Sequence, residues 1–220
     1  MSRNPNLAPI WERILVISER KYELSFTTGG LFTTEASVVS LLYEDLRDWG
    51  LVCEKIKAEN LLQTRTLSSG TRVSREVVAR LSTLSRAELD VVAKGAPQDR
   101  AHLMWIAASR RYKLIAEFAE EVVRERFLLL TPALKYEDFD SFFRNKALWA
   151  EQLNELSEST TKKLRQNLFK MLRDAGLLSA DGYILHTMLS HTVSSLVAEH
   201  DPAEFRLFPL SDSDISRAVR

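Results

Sequence analysis

Residues 157–185 read SESTTKKLRQNLFKMLRDAGLLSADGYIL. Leu164, Leu168, Met171, Leu172 and Ala175 recur at three- and four-residue spacing, so they share one face of a helix over 157–175. Gly176 supplies its C-cap. Two short apolar runs, Leu177-Leu178 and Tyr183-Ile184-Leu185, then flank Ala180-Asp181-Gly182. Asp-Gly between apolar runs predicts a hairpin, because both residues tolerate the positive φ of a tight turn. Upstream, 136–146 predicts an aromatic-rich helix and 148–156 a shorter one. Three helices followed by a hairpin is the element order of a winged helix-turn-helix.

Further toward the N-terminus the pattern stays helical. Thr131-Pro132 closes a long helical stretch, 98–130, as one bent helix or two. Lys94-Gly95-Ala96-Pro97 is a turn that opens it, and Ser85 with Glu88 fits a capping box. Residues 72–81 and 51–60 carry helical periodicity, with Ser68-Ser69-Gly70 as a break between them. Thr33 or Thr34 caps a helix that Gly50 ends, and Ser25 to Gly30 is a loop in which Gly29 and Gly30 form a plain turn. Residues 10–20 form a short helix after a Pro-containing arm. The expected architecture is an all-α, multi-helix bundle with a C-terminal winged-helix-like unit carrying a short β-hairpin. Its divisions are an arm and short helix over 1–20, a helical domain over 21–131 and a C-terminal unit over 132–220.

Composition agrees. The 220 residues hold 7 Gly and 6 Pro, few for an all-β fold, and 45% are apolar, enough for a core. Thirty Lys and Arg balance thirty Asp and Glu, so any attraction for a polyanion has to come from local sorting of charge. The one cysteine, Cys53, fits a reducing compartment. The N-terminus lacks the basic and apolar regions of a signal peptide, and no apolar run approaches a membrane span. The expected location is the cytoplasm, away from membranes.

Catalytic signatures are missing: no phosphate-binding glycine loop, nucleophile elbow or zinc-binding His-Glu pair occurs. His186 and His191 are five apart, which separates them around a helix. Glu137, Asp138 and Asp140 suit a cation, but acids in a first turn also complement the helix dipole. No enzyme, cofactor or metal is expected. The cations are more informative. On helix 157–175, Lys162, Gln166, Lys170 and Arg173 lie opposite the apolar face with Lys163 beside them, and acids occur only at the ends, Glu158 and Asp174. Such a face suits phosphates, with Gln166 able to reach base edges, and it equally suits solvent. Arg110, Arg111 and Lys113 around Tyr112 suit a nucleic-acid backbone or ion pairs within the chain. Arg65, Arg72, Arg75 and Arg80 form a third basic group, in which Arg72 and Arg75 share a face and Glu76 can neutralise part of the charge.

Several stretches together resemble the BrxA family of BREX phage-defence systems. They are Tyr22 to Leu31 (YELSFTTGGL), Asn60 to Thr66 with Ser68-Ser69, Arg72 to Glu76, Arg110 to Tyr112, Tyr136 to Phe143, and Ser159 through Leu178. The resemblance implies a small helical protein, similar in fold to the antitermination factor NusB, encoded beside a DNA methyltransferase and an ATPase. It implies binding to double-stranded DNA with other BREX proteins as partners, and it carries no catalytic residues. Two alternatives remain open: an assembly subunit anchored by the aromatics between Tyr136 and Trp149, and an RNA-binding protein, which the resemblance implies by analogy with the antitermination fold.

Overall fold

The computed structural model describes residues 22–218; the arm and short helix expected over 1–20 lie outside the described residues. The order is helical throughout. α1 (Thr33–Leu46), α2 (Trp49–Glu59), α3 (Leu67–Leu81) and α4 (Arg86–Lys94) lead to α5 (Pro97–Arg111). A helical run follows as α6 (Lys113–Phe118), a π-helical stretch (Ala119–Arg124) and α7 (Glu125–Leu128). α8 (Tyr136–Ala147), α9 (Glu151–Asn154) and α10 (Glu158–Asp174) come next. α11 (His191–His200), a 3-10 turn (Pro202–Leu207) and α12 (Asp212–Ala218) are the last elements of the described residues.

α5 is the axis of the molecule. Residues 101–109 are buried without exception, so this helix is enclosed on every side rather than along one stripe. Trp105 is fully buried and its indole donates to the Leu207 carbonyl at 2.9 Å, which ties the 3-10 turn to the centre. The N-terminus of α5 meets the C-terminus of α10. There Gln98 Nε2 donates to the Ala175 carbonyl at 3.1 Å, beside Gly176 at φ 73°. Phe118 of α6 packs against Phe139 and Phe142 of α8 and Phe169 of α10. A single apolar core therefore crosses residue 131, and the expected stretches 21–131 and 132–220 share it. A fully buried Leu, Val or Phe contributes about 1.5–3 kcal/mol, so this shared core is a large part of the cohesion between the two stretches.

Several boundaries differ from the sequence reading. α1 has no side-chain cap: Phe32 precedes it at φ 60°. The helix ends at Arg47, φ 52°, and Trp49-Gly50 already belong to α2, which Asp48 caps. Ser68-Ser69-Gly70 is not a break but the first turn of α3, because the Thr66 hydroxyl accepts the Ser69 N–H and starts the helix early. The stretch 98–130 divides at Tyr112, whose extended backbone separates α5 from α6. The helix expected over 148–156 is the single turn α9. The Ser85–Glu88 capping box is present in both directions.

No strand occurs among the described residues; the expected hairpin is two single antiparallel bridges, Leu178 with Ile184 and Ala133 with Tyr183. Around the Ala180-Asp181-Gly182 turn, the Ser179 N–H donates to the Tyr183 carbonyl at 2.8 Å and the Leu185 N–H to the Leu177 carbonyl at 2.9 Å. Gly182 takes φ 83°, as the Asp-Gly signal requires. On its other side the same arm meets residues 132–134: Ile184 N–H donates to Pro132 and Leu134 N–H to Gly182, both at 2.8 Å. The segment before α8 thus lies against the returning arm of the turn after α10.

Candidate nucleic-acid interface

α10 starts because the Ser157 hydroxyl accepts the Thr160 N–H at 3.2 Å, and it ends at Gly176. Leu164, Leu168, Phe169, Met171 and Leu172 are buried on its inner face. Lys162, Lys163, Gln166, Lys170 and Arg173 are exposed on the outer face, as the spacing predicts. Lys162 pairs with Glu158 at 2.6 Å and Lys170 with Asp174 at 2.8 Å, while Lys163 and Arg173 have no ion pair among the described residues. The Lys162 ammonium holds the Glu158 carboxyl below its usual range. Arg165 turns inward and pairs with Asp140 at 2.5 Å while lying over the Tyr136 ring.

A loop from the far end of the chain borders this face. Asn167 Nδ2 donates to the Phe26 carbonyl at 2.9 Å, and the Leu31 N–H donates to Asp174 Oδ2 at 3.0 Å. Gly30 lies so close that a Cβ there would collide with the Asp174 carboxylate and the Lys170 ammonium. Thr27 to Gly30 therefore form an edge of the α10 surface. The sequence reading treats this loop as a plain turn, and the pairing partner 143 residues away carries no local signal.

Behind the loop is a buried polar network. Arg80, fully buried, reaches Glu76 Oε1 through Nε at 2.8 Å and the Gly30 carbonyl at 2.9 Å. The Tyr112 hydroxyl donates to the same Glu76 oxygen at 2.6 Å and lies 2.9 Å from Ser25 Oγ. Burial, then the Glu76 hydrogen bond, push the Tyr112 phenol up to about 12. Three separate stretches, 22–31, 72–80 and 110–112, meet here.

The other expected contacts divide. Arg72 and Arg75 of α3 are exposed and have no ion pair among the described residues. Burial pushes up the pKa of the neighbouring Cys53 thiol, and the Arg75 charge partly offsets this. Arg110 is not available to a phosphate. It donates to Glu88 at 2.7 and 2.9 Å, to Glu204 at 2.7 and 2.8 Å, and to the Thr83 carbonyl at 3.1 Å, with 10% of its side chain exposed. Burial opposes ionisation of Glu88, but Arg110 and Ser85 outweigh it and hold the carboxyl below its ordinary range. Arg111 pairs with Glu23, and Lys113 lies 3.6 Å from Glu117 and over the Tyr22 ring. The acids Asp138 and Asp140 are held by Arg126 and Arg165 rather than gathered around a cation. No cluster of three metal-ligating side chains occurs among the described residues. No described helix is long and apolar enough to cross a membrane.

The BrxA family model matches residues 20–201, most of the chain. The chain belongs to the BrxA family. Every stretch of the sequence resemblance falls inside that match. The BREX protein BrxA of Bacillus cereus (strain H3081.97) is 27% identical over 163 residues, covering 74% of this chain and 82% of that protein. The BREX protein BrxA of Escherichia coli O9:H4 (strain HS) is 25% identical over 148 residues, covering 67% and 70%. A solved structure, an uncharacterized protein from Magnetospirillum magneticum, superposes with a TM-score of 0.73 at 22% identity, covering 86% of this chain and 96% of that one. This likeness shows that the helical arrangement is shared.

Proposed function

We propose that this BrxA-family chain is a non-catalytic component of a BREX phage-defence system that binds duplex DNA through the outer face of α10. The observation that carries the reading is the order of pairing in the C-terminal half. A helix, a bridge segment at 133, helices α8 and α10, a segment at 178, the Asp181-Gly182 turn and a segment at 184 follow one another, with 184 lying between the other two segments. That order supports a winged helix-turn-helix reading, in which the second main helix enters the major groove. Here that helix is α10, and its exposed outer positions between the end carboxylates of Glu158 and Asp174 are cationic or neutral.

In this reading Lys162, Lys163, Lys170 and Arg173 contact phosphates and Gln166 a base edge, with the 180–182 turn as the wing. Arg72 and Arg75 offer a second, separate phosphate surface. Because the net charge is zero, attraction comes from these faces alone and falls steeply with salt. Fluorescence anisotropy with a labelled duplex in low and moderate salt tests it: saturable binding that weakens with salt is expected, and no binding at micromolar protein in low salt contradicts it. Duplex RNA as competitor separates DNA from RNA recognition. A second reading, an assembly subunit, is favoured by Leu148 and Trp149, which are 75% and 91% exposed in the loop after α8. Co-purification of other defence proteins that survives nuclease and fails for Trp149→Ala supports that role.

A further inference from the structure

We infer that Asp174 competes internally with the DNA backbone for Lys170; this inference rests on the DNA-contact reading of α10. The helix gives Asp174 no reason to be there. An acid in the last turn faces the negative end of the helix dipole, whereas Glu158, in the first turn, is favoured where it lies. Asp174 is held from two other directions: Lys170 Nζ approaches its two oxygens at 3.0 and 2.8 Å, and the Leu31 N–H donates to Oδ2 at 3.0 Å. A carboxylate thus occupies the position on Lys170 that a phosphate oxygen would take. Gly30 keeps that position open, since any side chain there would displace the carboxylate and the ammonium.

Two consequences follow from the geometry. Of the cations on the face, Lys163 and Arg173 attract a phosphate without giving up an existing pair, whereas Lys162 does so only by releasing Glu158 and Lys170 only by releasing Asp174. The acid therefore lowers affinity for any duplex while leaving the Gln166 contact untouched, so it limits sequence-independent binding. The Thr27–Gly30 loop borders the same exchange, because the Leu31 N–H holds Asp174 Oδ2 at 3.0 Å.

Asp174→Asn removes the charge but keeps an oxygen that accepts the Leu31 N–H, so the fold is retained and an unchanged melting temperature checks this. Four proteins are titrated with a labelled duplex over a salt series: the wild type, D174N, K170A and the double variant. D174N is expected to bind about three- to fivefold more tightly in low salt. Its slope of log affinity against log salt is at least as steep as the wild type's, since Lys170 no longer divides its charge between carboxylate and phosphate. In the K170A background the gain is lost. Wild-type binding with no gain for D174N overturns the inference and leaves the DNA reading standing. An equal gain with and without Lys170 also overturns it, since the acid then acts as general charge. If none of the four proteins binds, the DNA reading fails and the inference with it.

Discussion

Arg110 and His102 show what a side chain's partners decide. Arg110 spends its donors on Glu88, Glu204 and a carbonyl, so Arg110→Ala strands two carboxylates in a poorly solvated site. We expect it to lower stability by about 3 kcal/mol, seen in urea melts, with no specific loss of DNA affinity in protein that remains folded. His102 is buried against Phe208 and accepts from Gln98 Nε2 at 2.7 Å, which requires an unprotonated ring nitrogen. Burial holds its pKa near 4, against about 6.5 in the open chain, with Asp99 pulling weakly the other way. Between those values the unfolded chain takes up a proton that the folded one refuses. The stabilisation from a neutral His102 is complete above pH 6.5 and declines as pH falls toward 4, by up to about 3 kcal/mol. Thermal melts at stepped pH should show that decline, and His102→Gln should flatten it.

Helices were legible where their signals are local and obscure where they are not. The Ser85–Glu88 box, the Gly176 cap and the two faces of α10 each depend on residues within a turn or two, and the structure has all three. α1 begins instead at Phe32 with positive φ, held by packing that no capping pattern encodes. The sequence leaves Arg110 open between a phosphate contact and an ion pair, because its carboxylates are 22 and 94 residues away. The Thr27–Gly30 edge of the α10 surface was hidden for the same reason. On α10 itself, Lys163→Ala and Arg173→Ala should each weaken duplex binding evenly across sequences and reduce the salt slope by about 0.9, measured by anisotropy. Gln166→Ala should instead narrow the difference between a preferred and a random duplex, since an amide reaching a base edge discriminates and a lysine on phosphate does not.

The molecule as a whole is electrically neutral and mechanically joined. Its core runs from α1 through α5 to α10 and the 3-10 turn, so calorimetry should record one cooperative transition rather than separate melting of 21–131 and 132–220. In a neutral molecule the proposed attraction for DNA depends on where the cations are, not on how many there are. The salt dependence of duplex affinity, compared between the wild type and the double variant Lys163→Ala with Arg173→Ala, measures that directly. The wild-type slope is expected to be steeper than the variant's by about 1.8, with weaker binding by the variant at every salt concentration. Parallel lines of equal affinity would mean that α10 does not face the DNA.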